Sequence, residues 1–263
     1  MASRLGDIGM VRPRSDTLGS GDHEVDMNIN ANLNTLPNDP PIAGDPFRPS
    51  EYSGLLMQAL LSHAGEFNLG TGLDMGMGSG VLLATLGGLG FTRLVGVDID
   101  PAALTAASAM MQSLGLLDRT DLRQGSLWEP LRDEKFDVVV TNLPNFAASA
   151  PSDPDHSPFW SMGGVDGRRA IDPFIAGLAR HLRPGGVAFM THNVFADIPQ
   201  TNAALAKQGL AARAIMATST LLHPTKSALM SPAVRAKYDG VALRRFGPYE
   251  FADVHVLEIR AAQ

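Results

Sequence analysis

Glycines at alternate positions in residues 73–80 could hold a nucleotide-like ligand. Gly76, Gly78 and Gly80 directly follow an apolar stretch. A chain that turns sharply and brings its backbone against a ligand needs residues without a β-carbon, and the amides that begin the next helix donate hydrogen bonds. Dinucleotide enzymes use Gly-x-Gly-x-x-Gly, which would place the third glycine at Val81. The spacing therefore favours another nucleotide-type cofactor, with a nicotinamide cofactor as the weaker alternative.

Three aspartates accompany this loop. Asp98 ends the next apolar stretch, about twenty residues beyond the glycines, where a carboxylate can accept hydrogen bonds from both ribose hydroxyls. Asp74 lies inside the glycine motif and could bind an ammonium group, directly or through water; the alternative is a carboxylate that accepts hydrogen bonds from loop amides. Asp100 directly precedes Pro101 and an alanine-rich stretch, which is typical of a helix N-cap.

The loop at residues 141–146 is the best candidate for an active site, because open parallel sheets bind ligands beyond the carboxyl ends of their strands. The side-chain carbonyl of Asn142 and a backbone carbonyl can accept both N–H groups of an amide or amine, which frees and orients the nitrogen lone pair. Pro144 stiffens the loop. Such catalysis needs positioning and electrostatics but no nucleophile or metal. The alternative is a simple Asn-Pro turn.

The alternation of short apolar runs with helical stretches is typical of βαβ units around a largely parallel sheet. We expect seven strands, at residues 71–75, 93–98, 121–124, 136–142, 186–192, 210–218 and 252–260. Helices are expected near residues 80–86, 101–114, 168–182 and 198–208, and Ser50 can cap an earlier helix that runs toward Phe67. The predicted fold is therefore α/β, with a doubly wound, Rossmann-like, mostly parallel sheet.

The first 49 residues differ in composition from the rest. They are rich in Asn, Asp, Pro and Gly and have no sustained apolar period. Such sequences form loops, short hairpins or disordered segments. We therefore divide the chain into an irregular N-terminal segment at residues 1–49, either a lid or disordered, and one domain at residues 50–263.

The composition limits the class of protein. The chain has 263 residues and no cysteine, which excludes disulfides, thiolate nucleophiles and cysteine metal sites. Its apolar stretches are too short to cross a bilayer, and its first residues lack the apolar core of a secretory signal. We therefore expect a cytoplasmic protein without a membrane partner.

The charge distribution bears on nucleic-acid binding. A formal net charge of −6 weighs against a general nucleic-acid partner. Residues 205–245 are nevertheless locally basic, with seven Lys or Arg residues against Asp239 alone. These residues form either a solvated face that acids elsewhere balance or a docking surface for an anionic partner.

Together these motifs resemble class I S-adenosylmethionine-dependent methyltransferases of the Asn-Pro-Pro-Tyr type, over roughly residues 47–193. Release-factor glutamine methyltransferases are the most similar group, because of the Pro49 lead-in to a helix, residues 125–131, and residues 163–167 ahead of residues 182–186. The resemblance implies S-adenosyl-L-methionine as the cofactor, bound by Asp74, Gly76, Gly78, Gly80, Asp98, Ser126, Leu127 and Asn142. It implies an acceptor site formed by Asn142, Pro144, Asn145 and Phe146.

In this family the loop after the third strand flanks the adenine ring. The resemblance therefore implies that Ser126, or the backbone beside it, binds the exocyclic amine. Leu127 or Trp128 would then cover a face of the ring. Packing in the protein core is the alternative for Trp128.

The sequence also departs from the family pattern. Leu143 replaces the first proline of the fourth motif and Asn145 replaces its tyrosine, so that Phe146 is the nearest aromatic residue. Ser126 replaces the usual acid of the adenine motif, and the irregular residues 1–49 stand where the family has a helical substrate-recognition domain.

We therefore expect methyl transfer to an amide or amino nitrogen of a protein or small molecule. An RNA base amine, in tRNA or rRNA, is the alternative acceptor. A cofactor-binding module without catalytic activity is the alternative to an enzyme.

Two further segments could contact the acceptor. Residues 147–169 are long enough to form a lid or specificity loop. Within them Asp153, Asp155 and His156 are better explained as a solvated acidic turn than as metal ligands, and we expect no metal site. His192 and Asn193 end the fifth predicted strand, where they could touch the substrate; a histidine satisfied by a neighbouring loop is equally consistent.

Overall fold

The computed structural model describes residues 48–148 and 162–262. The strands are β1 (Thr71–Met75), β2 (Arg93–Asp98), β3 (Thr120–Gln124), β4 (Phe136–Thr141), β5 (Leu182–Asn193), β6 (Leu210–Leu221), β7 (Leu243–Phe246) and β8 (Tyr249–Ala261). The helices are α1 (Glu51–Ser62), α2 (Val81–Gly88), α3 (Pro101–Ser113), α4 (Ile171–His181), α5 (Ile198–Ala206), α6 (Pro224–Leu229) and α7 (Pro232–Tyr238). Residues 1–47 lie outside the described part, so the domain division at residue 49 stays a prediction.

One sheet contains all of these strands, in the order β3-β2-β1-β4-β5-β8-β6, with β7 paired to β8. The first five strands in this order, β3, β2, β1, β4 and β5, run parallel to one another. The strand β8 is antiparallel to β5, β6 and β7. The strand order reverses at β1, which lies between β2 and β4, and this reversal is where open α/β sheets bind ligands. The predicted doubly wound α/β fold is confirmed.

The sheet has one more strand than the sequence indicated. All seven predicted strands are present, and β7 is the eighth. The short helices α6 and α7 were not predicted either. The segment they occupy is mixed in polarity, and three of the four residues of β7 are exposed, so no apolar period indicates these elements. Pairing with the long strand β8 stabilises β7 as one arm of a hairpin.

The two faces of the sheet are covered by different helices. On one face, Leu60, Leu83, Met111 and Phe189 belong to a buried cluster that packs α1, α2 and α3 against the sheet. The opposite face carries a second cluster that includes α4 and α5. A third cluster joins the loop after β4 to α6, α7 and β7, and therefore supports the segment that follows Asn142.

Trp128 lies in the second cluster rather than at a ligand surface. Its indole Nε1 donates a hydrogen bond to the Phe174 carbonyl oxygen at 2.9 Å. Its ring stacks on the His181 ring, with 4.5 Å between centroids and 7° between planes. Burial lowers the pKa of His181, which favours the neutral imidazole in this stack. Of the two interpretations of Trp128, the structure therefore agrees with packing in the protein core.

The contact between Trp128 and α4 generates a stability prediction. A β-carbon added at Gly177 would lie 2.3 Å from Trp128 Cδ1, whereas one added at Gly54 in α1 would have no neighbour within 4 Å. Overpacking costs about 1–3 kcal/mol, which exceeds the helix-propensity gain of up to about 1 kcal/mol from replacing glycine by alanine. We expect Gly177→Ala to lower the free energy of unfolding by about 1–2 kcal/mol, measured by urea denaturation.

Gly54→Ala is the matched control, because it makes the same change in an uncrowded helix. It should leave the free energy of unfolding unchanged or raise it by up to about 1 kcal/mol. Equal destabilisation by the two substitutions would show that the Trp128 contact does not limit the space at Gly177.

Candidate active site

Two adjoining cavities open at the carboxyl edge of the parallel strands. The larger, of about 590 Å³, is lined by the glycine loop, Asp98 and Ser126, and we refer to it as the cofactor cavity. The smaller, of about 150 Å³, is lined by residues of α1, the loop after β4, and β6, and we refer to it as the acceptor cavity. Both include Asn142 and Pro144 in their walls, so this loop forms the boundary between them.

The glycine loop presents backbone to the cofactor cavity. Gly76 and Gly78 have φ angles of +73° and +50°, a left-handed conformation that residues with a β-carbon rarely adopt. A β-carbon at Gly76 would meet only Leu143 Cδ2, at 3.5 Å, so the space beside it is open. Gly80, with a φ of +80°, caps α2 and is not part of the cavity wall. A β-carbon added at Gly80 would lie 3.0 Å from the Ala107 β-carbon. Glycine is therefore required at position 80 for the close packing against α3.

Asp98 is half-buried at the end of β2 and lines the cofactor cavity. Its Oδ2 accepts a hydrogen bond from the Gly78 amide at 3.0 Å, and its Oδ1 accepts one from the Asp100 amide at 3.0 Å. A carboxylate has about four acceptor sites, so two remain for a ligand. Asp100 itself accepts from the Ala102 amide at 2.9 Å as the N-cap of α3, which confirms the capping interpretation.

Asp74 is fully buried beneath the glycine loop. Its Oδ2 accepts a hydrogen bond from the Leu83 amide at 3.0 Å, near the start of α2. Its Oδ1 has no hydrogen-bond partner among the described residues. Burial, together with a smaller effect of the negative charge of Asp98, raises the pKa of Asp74 to about 8 against the lowering effect of the Leu83 bond. The structure thus places Asp74 behind the cavity wall, with one acceptor oxygen still unused.

The loop after β3 contributes the far wall of the cofactor cavity. Ser126 and Leu127 both line it, and Leu127 has a φ of +48°. Trp128 points instead into the core, as described above. Of the two residues expected to cover an adenine ring, the structure brings only Leu127 to the cavity.

Asn142 is held by β5. The Thr191 hydroxyl donates a hydrogen bond of 2.6 Å to Asn142 Oδ1, which fixes the side-chain amide and leaves one acceptor site on that oxygen. Asn142 is half-buried and borders both cavities. Its carbonyl oxygen can therefore accept an N–H from a group in the acceptor cavity.

Asn145, at the position of the family's tyrosine, is buried in a polar network. Its Nδ2 donates to the Thr191 carbonyl oxygen at 3.2 Å, and its Oδ1 accepts a short hydrogen bond from Asn193 Nδ2. The Tyr52 hydroxyl donates to Asn193 Oδ1 at 3.3 Å and lies 3.5 Å from the Thr220 hydroxyl. Burial raises the pKa of Tyr52, which keeps its hydroxyl protonated. Asn145 thus supports the acceptor cavity, with Tyr52 as an aromatic wall residue.

Phe146 forms an apolar wall of the acceptor cavity. Its ring packs edge-on against Phe195, with 5.7 Å between centroids and 86° between planes. The Lys226 ammonium nitrogen lies 5.9 Å from the Phe146 ring centroid, at the same cavity. The acceptor cavity therefore has two aromatic wall residues, Phe146 and Tyr52, although Asn145 stands at the position of the family's tyrosine.

Glycines at residues 163–167 brace the loop after β4. The Gly163 amide donates to the Phe146 carbonyl oxygen, and the Ala148 amide donates to the Gly164 carbonyl oxygen, each at 2.8 Å. A β-carbon at Gly167 would lie 2.7 Å from the Asn145 carbonyl oxygen, so this close approach requires glycine.

Of the two residues at the end of β5 that the sequence suggested could touch the substrate, the structure brings only one to a cavity. Asn193 lines the acceptor cavity. His192 is fully buried, with Nε2 2.8 Å from the Thr201 hydroxyl, and burial lowers its pKa to about 4. The histidine is therefore satisfied by its neighbours and does not line either cavity. Asp153, Asp155 and His156 lie outside the described residues.

The sequence did not indicate three residues that line the acceptor cavity, Tyr52, Thr220 and Lys226, nor Thr191, whose hydroxyl orients Asn142. Tyr52 occupied a position of the helical apolar pattern, and its hydroxyl gave no further signal. Thr191 adjoins His192 and was detectable only as a polar residue near a strand end. Thr220 and Lys226 come from the segment whose structure the sequence did not indicate.

The cofactor cavity fits S-adenosylmethionine. Gly76 leaves room for a ligand against the backbone, and Gly78 lines the same cavity. Asp98 has acceptor sites for ribose hydroxyls, and Asp74 Oδ1 has no hydrogen-bond partner among the described residues. Ser126 and Leu127 offer one polar and one apolar group for an adenine ring. Among residues 48–148 and 162–262, His, Asp and Glu side chains form no group of metal-ligating size, and no helix is long and apolar enough to span a membrane.

Comparison with known proteins agrees with this fit. A methyltransferase domain family matches residues 73–153. A release factor glutamine methyltransferase of Gloeobacter violaceus is 37% identical over 122 residues, which are 44% of this chain and 43% of that protein. A putative protein N5-glutamine methyltransferase of Methanocaldococcus jannaschii is 31% identical over 144 residues, covering 54% of this chain and 68% of that protein.

The fold is also similar to solved structures. The E. cuniculi complex responsible for methylation of the eRF1 translation termination factor superimposes with a TM-score of 0.50 at 19% identity, covering 82% of this chain and 98% of the matched chain. This chain belongs to the class I S-adenosylmethionine-dependent methyltransferases, and its cofactor is S-adenosylmethionine. The chain resembles the release-factor type, as the sequence indicated, since its curated relatives include release factor glutamine methyltransferases. The chain spans about half the length of the first curated relatives it matches.

We propose that Asp98 binds the ribose hydroxyls, which generates a binding prediction. Asp98→Ala should weaken binding of S-adenosylhomocysteine by about ten- to a hundredfold, because charge-assisted hydrogen bonds contribute roughly 1.5–3 kcal/mol. Isothermal titration calorimetry measures this affinity directly. Asp118→Ala, at an exposed aspartate away from the cavity, is the control and should bind normally. Normal binding by Asp98→Ala would contradict the ribose assignment.

The buried carboxyl of Asp74 generates a prediction about stability and pH. Because its pKa is about 8 in the folded protein and 3.8 in the reference state, the folded state binds the proton more tightly. Its contribution to stability is therefore complete below about pH 4 and is lost as the pH rises toward about 8. Asp74→Asn keeps an oxygen acceptor for the Leu83 amide but does not titrate.

We expect the free energy of unfolding of Asp74→Asn, relative to the unsubstituted protein, to increase from pH 5 to pH 8. Urea denaturation of both proteins at the two pH values measures this difference, and any fixed cost of the asparagine amide cancels. A difference that does not change with pH would show that Asp74 titrates normally in the fold.

Proposed function

We propose that this enzyme transfers the methyl group of S-adenosylmethionine to an amide nitrogen of a protein side chain. The observation that supports this most directly is the position of Asn142. Its carbonyl oxygen lies at the boundary of the two cavities, is oriented by the Thr191 hydroxyl, and retains one acceptor site. An acceptor for N–H at this boundary suits a nitrogen nucleophile.

The residues of this chain position the amide that accepts the methyl group. Asn142 Oδ1 accepts one N–H of the amide, and a backbone carbonyl of residues 142–146 accepts the other, which aims the nitrogen at the cofactor cavity. Phe146 and Tyr52 flank the planar amide and exclude water from it. When bound, S-adenosylmethionine supplies an electrophilic methyl group and a sulfide leaving group. Hydrogen bonds from the amide to fixed carbonyl oxygens stabilise the positive charge that develops on the attacking nitrogen, and one N–H proton of that nitrogen passes to solvent to give the neutral N-methylamide.

The acceptor cavity is large enough for a side-chain amide. Its volume is about 150 Å³. A cavity of roughly this size accommodates a benzene-sized group. The amide end of a glutamine side chain is within this limit. The names of the curated relatives, release factor and protein glutamine methyltransferases, support the same class of acceptor.

This proposal implies which class of protein the enzyme modifies and in which compartment it acts. A translation protein, of the kind named in the relatives, is the acceptor class we favour, and the enzyme would then act in the cytoplasm. A protein acceptor is favoured over a small molecule because the relatives so named modify proteins.

The charges of the C-terminal third disfavour RNA as the acceptor. Five of the seven basic residues at 205–245 form ion pairs with carboxylates: Arg213, Arg235, Lys237, Arg244 and Arg245. Acids outside that segment provide most of the partners, so the segment is a balanced face. Counterion release from phosphates requires cations that are free to bind them.

Asn142 generates the test of the proposal. Asn142→Ala should lower kcat by about 10²–10³, the usual cost of removing one oriented group from a transition-state site, while S-adenosylhomocysteine affinity changes less than about threefold. The measurement is transfer of a labelled methyl group to glutamine-containing peptides, with N5-methylglutamine identified by mass spectrometry after hydrolysis by peptidases. Asn202→Ala, at an exposed asparagine of α5, is the control and should retain full activity.

Two results would overturn the proposal. One is label that enters RNA or small molecules but no amide. The other is full turnover by Asn142→Ala on an amide acceptor, which would place the acceptor elsewhere.

A further inference from the structure

Lys226 differs in its surroundings from the basic residues of the C-terminal third that form ion pairs. It lies on α6 at the wall of the acceptor cavity, with its ammonium nitrogen 5.9 Å from the Phe146 ring centroid. The side chain is half-buried, and loss of water around it lowers the pKa of the Lys226 ammonium. A partly desolvated cation interacts more strongly with an anion than an exposed one does.

No carboxylate forms an ion pair with Lys226 in the part of the chain that the structure describes. In contrast, the five neighbouring basic residues named above are each paired within 4 Å. Glu51 lines the same cavity and its charge acts on Lys226, but the two side chains do not form a salt bridge. The ring face of Phe146 provides only a weak, cation–π substitute for an anion.

The short helix that carries Lys226 is held in place. The Ser227 hydroxyl donates a hydrogen bond of 2.5 Å to Glu250 Oε2. Arg235 Nη1 donates to Glu250 Oε1 at 2.6 Å, and Arg235 Nη2 donates to the Ser227 carbonyl oxygen at 2.9 Å. The bond from Arg235 lowers the pKa of Glu250 to about 2, so the network is charged throughout the physiological range. Lys226 is therefore positioned at the cavity by a fixed backbone.

We propose that Lys226 binds a carboxylate carried by the methyl acceptor, and that the enzyme thereby selects amides with a carboxylate about one side-chain length from the reacting nitrogen. The inference rests on the proposed function in one respect, since it takes the acceptor cavity to hold the amide. The carboxylate has two possible sources: an acidic residue next to the modified residue in a peptide, or the α-carboxylate of the modified residue itself. Both would form the same charge-assisted hydrogen bond with the ammonium group.

Calorimetry with a matched pair of ligands tests the charge preference. N-acetylglutamine carries a carboxylate, and N-acetylglutaminamide replaces it with a neutral amide of the same shape. In the presence of saturating S-adenosylhomocysteine, N-acetylglutamine should bind about 10- to 100-fold more tightly. Lys226→Met, which keeps the length of the side chain and removes its charge, should reduce the preference to less than about twofold. Lys226→Arg should restore most of it.

Lys207→Met is the matched control, because Lys207 is an exposed lysine outside both cavities. It should leave the preference unchanged. The inference is overturned if the unsubstituted protein prefers the charged ligand neither in this pair nor in the dipeptide pair described next, if the preference persists in Lys226→Met, or if none of these ligands binds.

Two blocked dipeptides distinguish the sources of the carboxylate. Acetyl-Gln-Asp-amide and acetyl-Gln-Asn-amide differ only by the side-chain charge next to glutamine. A Lys226-dependent preference for the aspartate peptide supports an acidic neighbour as the source. Equal binding of the two peptides, together with the preference for N-acetylglutamine, supports the α-carboxylate.

Failure of this inference and failure of the proposed function give different results. The binding measurements need no methyl transfer, so a Lys226-dependent preference without any N-methylamide product would support the inference and overturn the function. Formation of N5-methylglutamine at equal rates on charged and neutral acceptors, with equal affinities, would overturn the inference and leave the function standing.

Discussion

The parallel pairing of β1 with β2 on one side and β4 on the other is the constraint on which the site depends. It brings the ends of these strands to one edge, so that the glycine loop, Asp98 and Asn142 lie around one opening. The Gly76 and Met77 amides bond to the Val97 carbonyl oxygen, which ties the glycine loop to β2. Without this register the cofactor cavity would have no continuous wall.

The acceptor cavity depends on longer-range contacts. Thr191 from β5 orients Asn142, and Asn193 connects Asn145 to Tyr52 of α1. Thr220 and Lys226 join from the antiparallel half of the sheet and the helix beyond it. The cofactor cavity is therefore formed by local motifs at parallel strand ends, whereas the acceptor cavity is formed by residues far apart in the chain. This division suits a family in which one cofactor serves many acceptors.

Buried polar groups in this fold are mostly satisfied, which gives weight to those that are not. The Asn145 and His192 side chains both have partners, and the basic C-terminal third is largely neutralised. Among the described residues, Asp74 Oδ1 and His255 Nδ1 are the buried side-chain atoms without a hydrogen-bond partner. Asp74 lies behind the wall of the cofactor cavity, and the half-buried Lys226 ammonium group lies at the acceptor cavity. A buried acceptor without a partner and a half-buried cation without an ion pair, as Asp74 Oδ1 and Lys226 are within residues 48–148 and 162–262, are the kinds of group that ligands bind.

The sequence by itself determined the sheet, the glycine loop, Asp98 and the Asn142 loop, because these features are local and repeat with the period of strands and helices. It left Trp128 and Asp74 with two readings each, since burial and partners depend on elements distant in sequence, here α4 and α2. It gave no sign of β7 or α6, because those elements are short and are stabilised by β8 and by the Glu250 network. Only the tertiary structure therefore placed Tyr52 and Lys226 in the wall of the acceptor cavity and Thr191 against Asn142. Contacts between segments remote in sequence outweigh local preference there.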